Sequence, residues 1–219
     1  MAVVGICNAI LIGSAGGGRA ADFSDCYLKC DVGAAFQSDT GQKEFFSANP
    51  SPFGNQVATN IVNYHFRPGV RLDVAAGISL TKSFAAELEA GVIYSAAELT
   101  RQFHAAMPGG RIILVTSSQE VDYFQIPVLL NLTYKVPVQS RFKPFIGLGA
   151  GGVFSTVQDV NVNDIQFGVQ GLAGFRCIIN DRAQLGFVCK VLNSVGESND
   201  LKPDGHLTAS IGLTFTYRF

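Results

Sequence analysis

Between Leu207 and Phe219 every odd-numbered residue is apolar (Leu207, Ala209, Ile211, Leu213, Phe215, Tyr217, Phe219), while Thr208, Ser210, Gly212, Thr214, Thr216 and Arg218 between them are polar or small. A period of two puts alternate side chains on opposite faces, so the segment reads as a strand with one apolar side. Such a strand fits a soluble sandwich, a small soluble barrel or a barrel wall in lipid. What the other face carries decides among them.

The alternation recurs along the chain. Leu28, Cys30, Val32, Ala34 and Phe36 oppose Lys29, Asp31, Gly33 and Gln37. Val70 to Leu80 sets Val70, Leu72, Val74, Ala76, Ile78 and Leu80 against Arg71, Asp73 and Ser79, and Phe84 to Ser95 sets an apolar row ending at Tyr94 against Glu87, Glu89 and Gly91. Further runs follow at 121–135, 141–155, 164–179 and 183–191, giving eight strands. Pro127 inside one of them predicts a bulge, because proline cannot donate to a sheet ladder. Asn180-Asp181 marks a hairpin turn.

The links at 81–83, 136–140 and 180–182 are short, whereas those at 37–69, 96–120, 156–163 and 192–205 are longer. Short periplasmic turns alternating with longer outer loops are the rule for bilayer barrels. On that topology Phe84, Tyr134, Phe142, Tyr217 and Phe219 gather at the periplasmic rim, and Phe36, Tyr94, Phe124, Phe154 and Phe167 at the outer one. These are two aromatic girdles. The minority face collects Arg71, Asp73, Glu87, Glu89, Lys143 and Arg176, which a soluble barrel would carry outside. In a narrow eight-stranded lumen such charges persist only as a mutually paired network. The expected fold is therefore all-β: an eight-stranded antiparallel up-and-down transmembrane β-barrel with short periplasmic turns and long extracellular loops.

Composition removes other classes. A net charge of -1 without any basic run excludes nucleic acid as a partner. The continuously apolar residues 2–15, followed by a small-residue site at Ala20, predict a signal peptide over 1–20 and a barrel domain over 21–219, although no basic residue stands between Met1 and Arg19. The five cysteines give no disulfide framework. Cys26 and Cys30 stand about 13 Å apart on a strand, Cys177 and Cys189 fall at offset registers, and Cys7 leaves with the signal. No metal or cofactor is expected.

The stretches QIPVLLNLTYK (125–135), FKPFIGLGAGG (142–152) and GLTFTYRF (212–219) resemble the OmpA/OmpX/opacity class of small outer-membrane barrels. The resemblance implies the outer membrane of a Gram-negative-type bacterium, with the lipid bilayer as solvent. It also implies that Gly212, Phe215, Tyr217 and Phe219 form the signal read by the outer-membrane insertase.

Functions vary within such a class. The leading expectation is a non-enzymatic, surface-exposed protein with a structural or adhesive, ligand-contacting role through its outer loops. Phe45, Phe46, Phe53 and Tyr64 are candidate binding anchors, with mutual packing or packing on 96–120 as the equal alternative. A narrow passive pore, a soluble lipocalin-like binder and an outer-membrane lipid-modifying enzyme are the alternatives. The last rests on His206 and Thr208, which resemble the H-x-S pair of some lipid A deacylase barrels with Thr in place of Ser.

Overall fold

The computed structural model describes residues 26–47, 57–107, 111–157, 162–195 and 207–219. The predicted signal peptide, Cys7, Phe53 and His206 lie outside them. Ten strands follow one another: β1 (Cys26–Gln37), β2 (Thr40–Ser47), β3 (Val57–Phe66), β4 (Gly69–Ser79), β5 (Phe84–Met107), β6 (Arg111–Lys135), β7 (Phe142–Val157), β8 (Val162–Ile178), β9 (Ala183–Val195) and β10 (Leu207–Arg218). β1 pairs with β4 on one side and β10 on the other, and the β5–β6 ladder closes the ring. The wall is thus a closed antiparallel barrel of eight strands, β1 and β4 to β10, with no free edge.

The two faces of the wall follow the sequence alternation. Val32, Leu72, Leu130, Leu148 and Leu213 are exposed on the outside, while Lys29, Arg71, Glu87, Glu89 and Lys190 are buried inside. Outward aromatics meet across strands near each rim: Phe84 lies 5.1 Å from Tyr134 on one and Tyr94 lies 5.0 Å from Phe124 on the other. The turns at the first rim are tight. Thr81 Oγ1 accepts from the Phe84 backbone N–H at 3.0 Å, and Asn180 Oδ1 accepts from the backbone N–H groups of Arg182 and Ala183 at 2.9 and 2.7 Å.

Four local expectations are corrected. Residues 37–69 hold a hairpin, β2–β3, whose second strand pairs with the far half of β5, Ala58 opposite Ala105 through Phe66 opposite Ala97. Residues 96–120 are mostly not a loop: β5 and β6 stay in register to Met107 opposite Arg111. Likewise β7 and β8 run on until only 158–161 separates them. Pro127 makes no bulge, since Ala90 faces Val128 and Ile93 faces Gln125 in one unbroken register. The missing donor is absorbed instead by a lapse in pairing on the β5 side, while Pro127 stays paired with Val153 across the β7 ladder.

The extended strands keep the alternation but reverse its sign. Beyond Tyr94 the inward residues Ala97, Leu99, Val121 and Tyr123 are apolar and buried, whereas Glu98, Thr100, Ser118 and Glu120 point outward. An apolar outer face suits lipid and a polar one suits water, so the reversal marks where the wall leaves the membrane. A spanning strand needs about 9–11 residues, and β5 and β6 have 24 and 25. Roughly half of each rises outside, where β2, β3, β5 and β6 form a four-stranded extramembrane sheet.

Candidate functional site

Among the described residues, the buried charged side chains are four cations, Lys29, Arg71, Arg176 and Lys190, and four anions, Asp31, Asp73, Glu87 and Glu89. All sit on inward positions of β1, β4, β5, β8 and β9. Glu87 accepts from the Tyr27 hydroxyl at 2.7 Å and from Arg176 Nη2 at 3.3 Å, and pairs closely with Lys29. Glu89 accepts from Arg71 Nη2 at 3.2 Å, Lys190 Nζ at 2.9 Å, Asn131 Nδ2 at 3.2 Å and Gln170 Nε2 at 3.1 Å. Asp73 takes Arg71 Nε at 2.8 Å and Lys190 Nζ at 2.7 Å, and Asp31 Oδ2 lies 2.7 Å from the same ammonium.

Such a cluster holds together because its signs balance. Each ion loses several kcal/mol of hydration on entering the barrel, and only close opposite partners with good hydrogen bonds offset that loss. Glycine makes the room: a methyl group added at Gly91 would overlap Asp73 Oδ1, and one at Gly77 would overlap the Tyr27 ring. Asp31, Asp73 and Glu89 place one carboxylate oxygen each within 4.8 Å of one another, a metal-like arrangement. Its centre belongs to Lys190, whose Nζ contacts all three.

Arg71, Asp73, Glu87, Glu89 and Arg176 come together in this plug. Lys143 does not: near the periplasmic end of β7, it donates to the Val138 carbonyl instead. Lys29, Asp31 and Lys190 join in its place. Their parity already pointed inward, but parity carries no height along the barrel axis, and height depends on register between strands that are far apart in sequence.

Above the plug the lumen stays filled. Ala35, Ile93, Leu129, Val153 and Leu192 form an apolar layer. Over it Ser95 Oγ donates to Gln37 Oε1 at 2.9 Å, and Thr208 Oγ1 donates to Gln125 Oε1 at 3.2 Å. Thr208 is therefore a lumen residue, turned away from lipid. A second apolar layer follows, in which Val62, Tyr64 and Phe66 of β3 pack with Ala97, Leu99, Val121, Tyr123 and Val157.

Tyr64 is corrected from a loop anchor to a core residue: it is buried, and its ring stacks 6.2 Å from Phe66, itself 5.2 Å from Tyr123. Packing of the 37–69 segment on 96–120 is what the structure has here. Phe45 and Phe46 occupy β2, opposite Thr59 and Ala58. The sheet's described apolar exposure lies further out, at Phe103 (42% exposed), Leu114 (60%) and Val115 (53%). Leu114 and Val115 belong to the apolar run IILV at 112–115, which the sequence shows inside 96–120, whereas Phe103 stands between polar neighbours and gives no such signal. At the other end, Phe215, Tyr217 and Phe219 stand exposed on the outer wall, Tyr217 lies 5.8 Å from Phe219, and Gly212 pairs with Gly33.

Comparison with known proteins agrees with this geometry. Residues 6–219 match the model of the outer membrane protein beta-barrel domain. No curated protein sequence is significantly similar to the chain. Among solved structures, it is similar to Neisserial surface protein A, with a TM-score of 0.56 at 12% identity over 90% of this chain and 98% of that one. Matches to the outer membrane protein OprG from Pseudomonas aeruginosa (TM-score 0.45, 16% identity, 90% and 98% covered) and to the outer membrane protease OmpT from Escherichia coli (0.45, 9%, 88% and 97%) are more distant. Apolar side chains facing out, ionised ones locked inside and a family match along nearly the whole chain lead to one assignment: the protein belongs to the outer membrane protein beta-barrel family and resides in the outer membrane of Gram-negative bacteria.

Proposed function

We propose that the chain is a non-enzymatic surface protein whose barrel is an anchor and whose extramembrane sheet is the working part. The observation that carries this reading is the length of β5 and β6, about twice what a bilayer requires, together with the buried layer that stiffens the projecting strands. A sheet with its own core holds a contact surface in place at low entropic cost. Phe103, Leu114 and Val115 supply exposed apolar side chains at its distal end, the kind of feature that marks a contact site.

The filled lumen disfavours the pore reading. The inward, hydrogen-bonded Thr208 disfavours lipid-modifying chemistry, which needs its hydroxyl at the lipid face. The test compares cells displaying the wild-type chain with cells displaying a Phe103→Ser, Val115→Ser double variant, for adhesion to protein-coated surfaces. Adhesion falls in the variant while the heat-modifiable band, which reports the folded barrel, is unchanged. Equal adhesion by both, together with a step conductance for the wild type in planar bilayers, moves the function to the pore.

A further inference from the structure

Above the membrane the sheet runs β2, β3, β5, β6, and its two edges differ. β6 meets β7 only from Tyr123, opposite Val157, downward. From Arg111 to Asp122 it pairs, among the described residues, with β5 alone. Every second residue of that stretch therefore turns its backbone N–H and C=O away from β5, as a template for one more strand. Such edges are usually blunted by lysine, proline or a bulge. β2 carries Lys43 and Glu44 in its middle. The β6 run from Ile112 to Gln119, IILVTSSQ, has no charge, no proline and no glycine. Short uncharged segments rich in β-branched residues are the ones that pair strand to strand. From Leu114 to Glu120 this edge is exposed throughout.

The side chains favour one kind of strand. Leu114 and Val115 are consecutive, so they stand on opposite faces of the sheet, and both are exposed. Val115 lies opposite Phe103 of β5, which is exposed as well. A second β6, set antiparallel about a two-fold axis at Val115, places its own Val115 opposite this one and its Thr116 opposite Leu114. One apolar row then crosses the seam: Phe103 and Val115 of one copy, followed by Val115 and Phe103 of the other. Because the run from Ile112 to Gln119 is uncharged, no like charges face each other within it. A strand of another protein would have to match this pattern, whereas a second copy matches it by symmetry.

We propose that the upper edge of β6 is a self-recognition surface, which binds the same edge of a second copy of this chain on a facing cell. Direction fixes the facing cell. Copies in one membrane all carry β6 in the same sense and do not meet antiparallel, whereas the two-fold pairing joins barrels whose outer ends point at each other. From Phe124 at the rim to Val115 the strand covers about 30 Å at strand rise, so the edge stands clear of the membrane. One pairing of short strands is a small interface, and many copies acting together on each surface supply the strength. The pairing rests on the extramembrane sheet being the working part of the chain.

The full chain is displayed on two differently coloured populations of a host with short surface polysaccharide, and clumping is read by sedimentation and by counting colours in each clump. Cells displaying the wild type clump, and cells without the chain do not. Val115→Lys abolishes clumping, and so does Val115→Glu, because each sets like charges opposite each other at the two-fold. A mixture of the Lys and Glu populations clumps again, with both colours in every clump. Asn63→Lys and Asn63→Glu, exposed changes on β3 away from the edge, leave clumping as in the wild type. The heat-modifiable band reports that each variant is folded. If a charged Val115 variant lacks it, Val115→Cys with a thiol-specific cross-linker takes its place, and covalent dimers between the two populations are expected beyond those of the wild type.

Failure of wild-type cells to clump overturns the pairing. So does a mixture that stays dispersed, an absence of cross-linked dimers, or a pair of Asn63 variants that behaves like the Val115 pair, which would mean diffuse surface charge. Wild-type cells that adhere to protein-coated surfaces without clumping assign the edge to a strand of another protein: the surface role then stands and the self-pairing falls. Cells that do neither overturn both.

Discussion

The ammonium of Lys190 contacts the carboxylates of Asp31, Asp73 and Glu89 at 2.7, 2.7 and 2.9 Å, the geometry in which another protein would place a divalent ion. Removing it leaves three buried anions to share Arg71 and Lys29. Lys190→Met, which keeps the side-chain volume, is expected to cost about 3–5 kcal/mol, the range for breaking a buried pair on one side. Urea unfolding of the heat-modifiable form measures it, and an unchanged midpoint would mean that the plug does not stabilise the barrel. Outside the membrane, Asp39 accepts from the Phe66 backbone N–H at 3.0 Å and lies 2.7 Å from His65 Nδ1. These two contacts, the backbone one first, hold its carboxyl below the ordinary value of 3.8. A depressed folded-state pKa means the contribution is complete above that ordinary value and is lost as pH falls through the lower folded value. The β2–β3 hairpin should therefore become more susceptible to an acid-active protease as pH drops below the usual carboxylate range, and Asp39→Asn should flatten that dependence. An unaltered profile in the variant would place the acid-sensitive contact elsewhere.

At the level of the strand, the barrel wall was legible because lipid outside and a narrow lumen inside impose one sign of alternation on every spanning segment. The extramembrane sheet was not, because the same alternation continues there with its sign reversed. Leu88 and Val92 of β5 face out, and a few residues later Ala97 and Leu99 face in. A reading that follows one apolar row ends at Tyr94 and takes the rest for loop. The plug is half legible for a related reason: parity assigns a side but not a height, so it groups Lys143 with Glu87 and does not single out Lys190, which lies on the right side. Neighbouring positions of β10 test the assignment of faces. Leu213 is exposed to lipid and Thr214 is buried in the lumen with an unpartnered Oγ1. Leu213→Arg should destabilise the barrel by roughly 2–4 kcal/mol if it lies near the bilayer midplane. Thr214→Val should be neutral or slightly stabilising, because it removes a buried hydroxyl that bonds nothing. A severe Thr214→Val and a silent Leu213→Arg would exchange inside and outside.

Over the whole molecule, the first and last wall strands are partners: Leu28 pairs with Tyr217 and Gln37 with Thr208, so the ring closes only when β10 arrives. Contacts of such long sequence separation make closure the late and costly step of folding. The aromatic side chains at the end of β10 can act in two ways. On the outer wall, the Phe219 ring adds to the periplasmic girdle beside Tyr217, and its backbone N–H donates to the Cys26 carbonyl at 3.2 Å. By its pattern, the same residue also completes the strand that we propose the outer-membrane insertase reads, along with Gly212, Phe215 and Tyr217. Deleting Phe219 separates the two roles. The ring contributes at most about 1.5–3 kcal/mol of apolar burial, a modest share for a closed eight-stranded wall, so the purified variant should refold in detergent with a slightly lowered unfolding midpoint. In cells the folded, outer-membrane fraction should fall far more than that difference in stability allows. Phe219→Tyr, which keeps an aromatic ring at the position, should restore most of it. Parallel losses in detergent and in cells would reduce Phe219 to a girdle residue and move recognition to Phe215 and Tyr217.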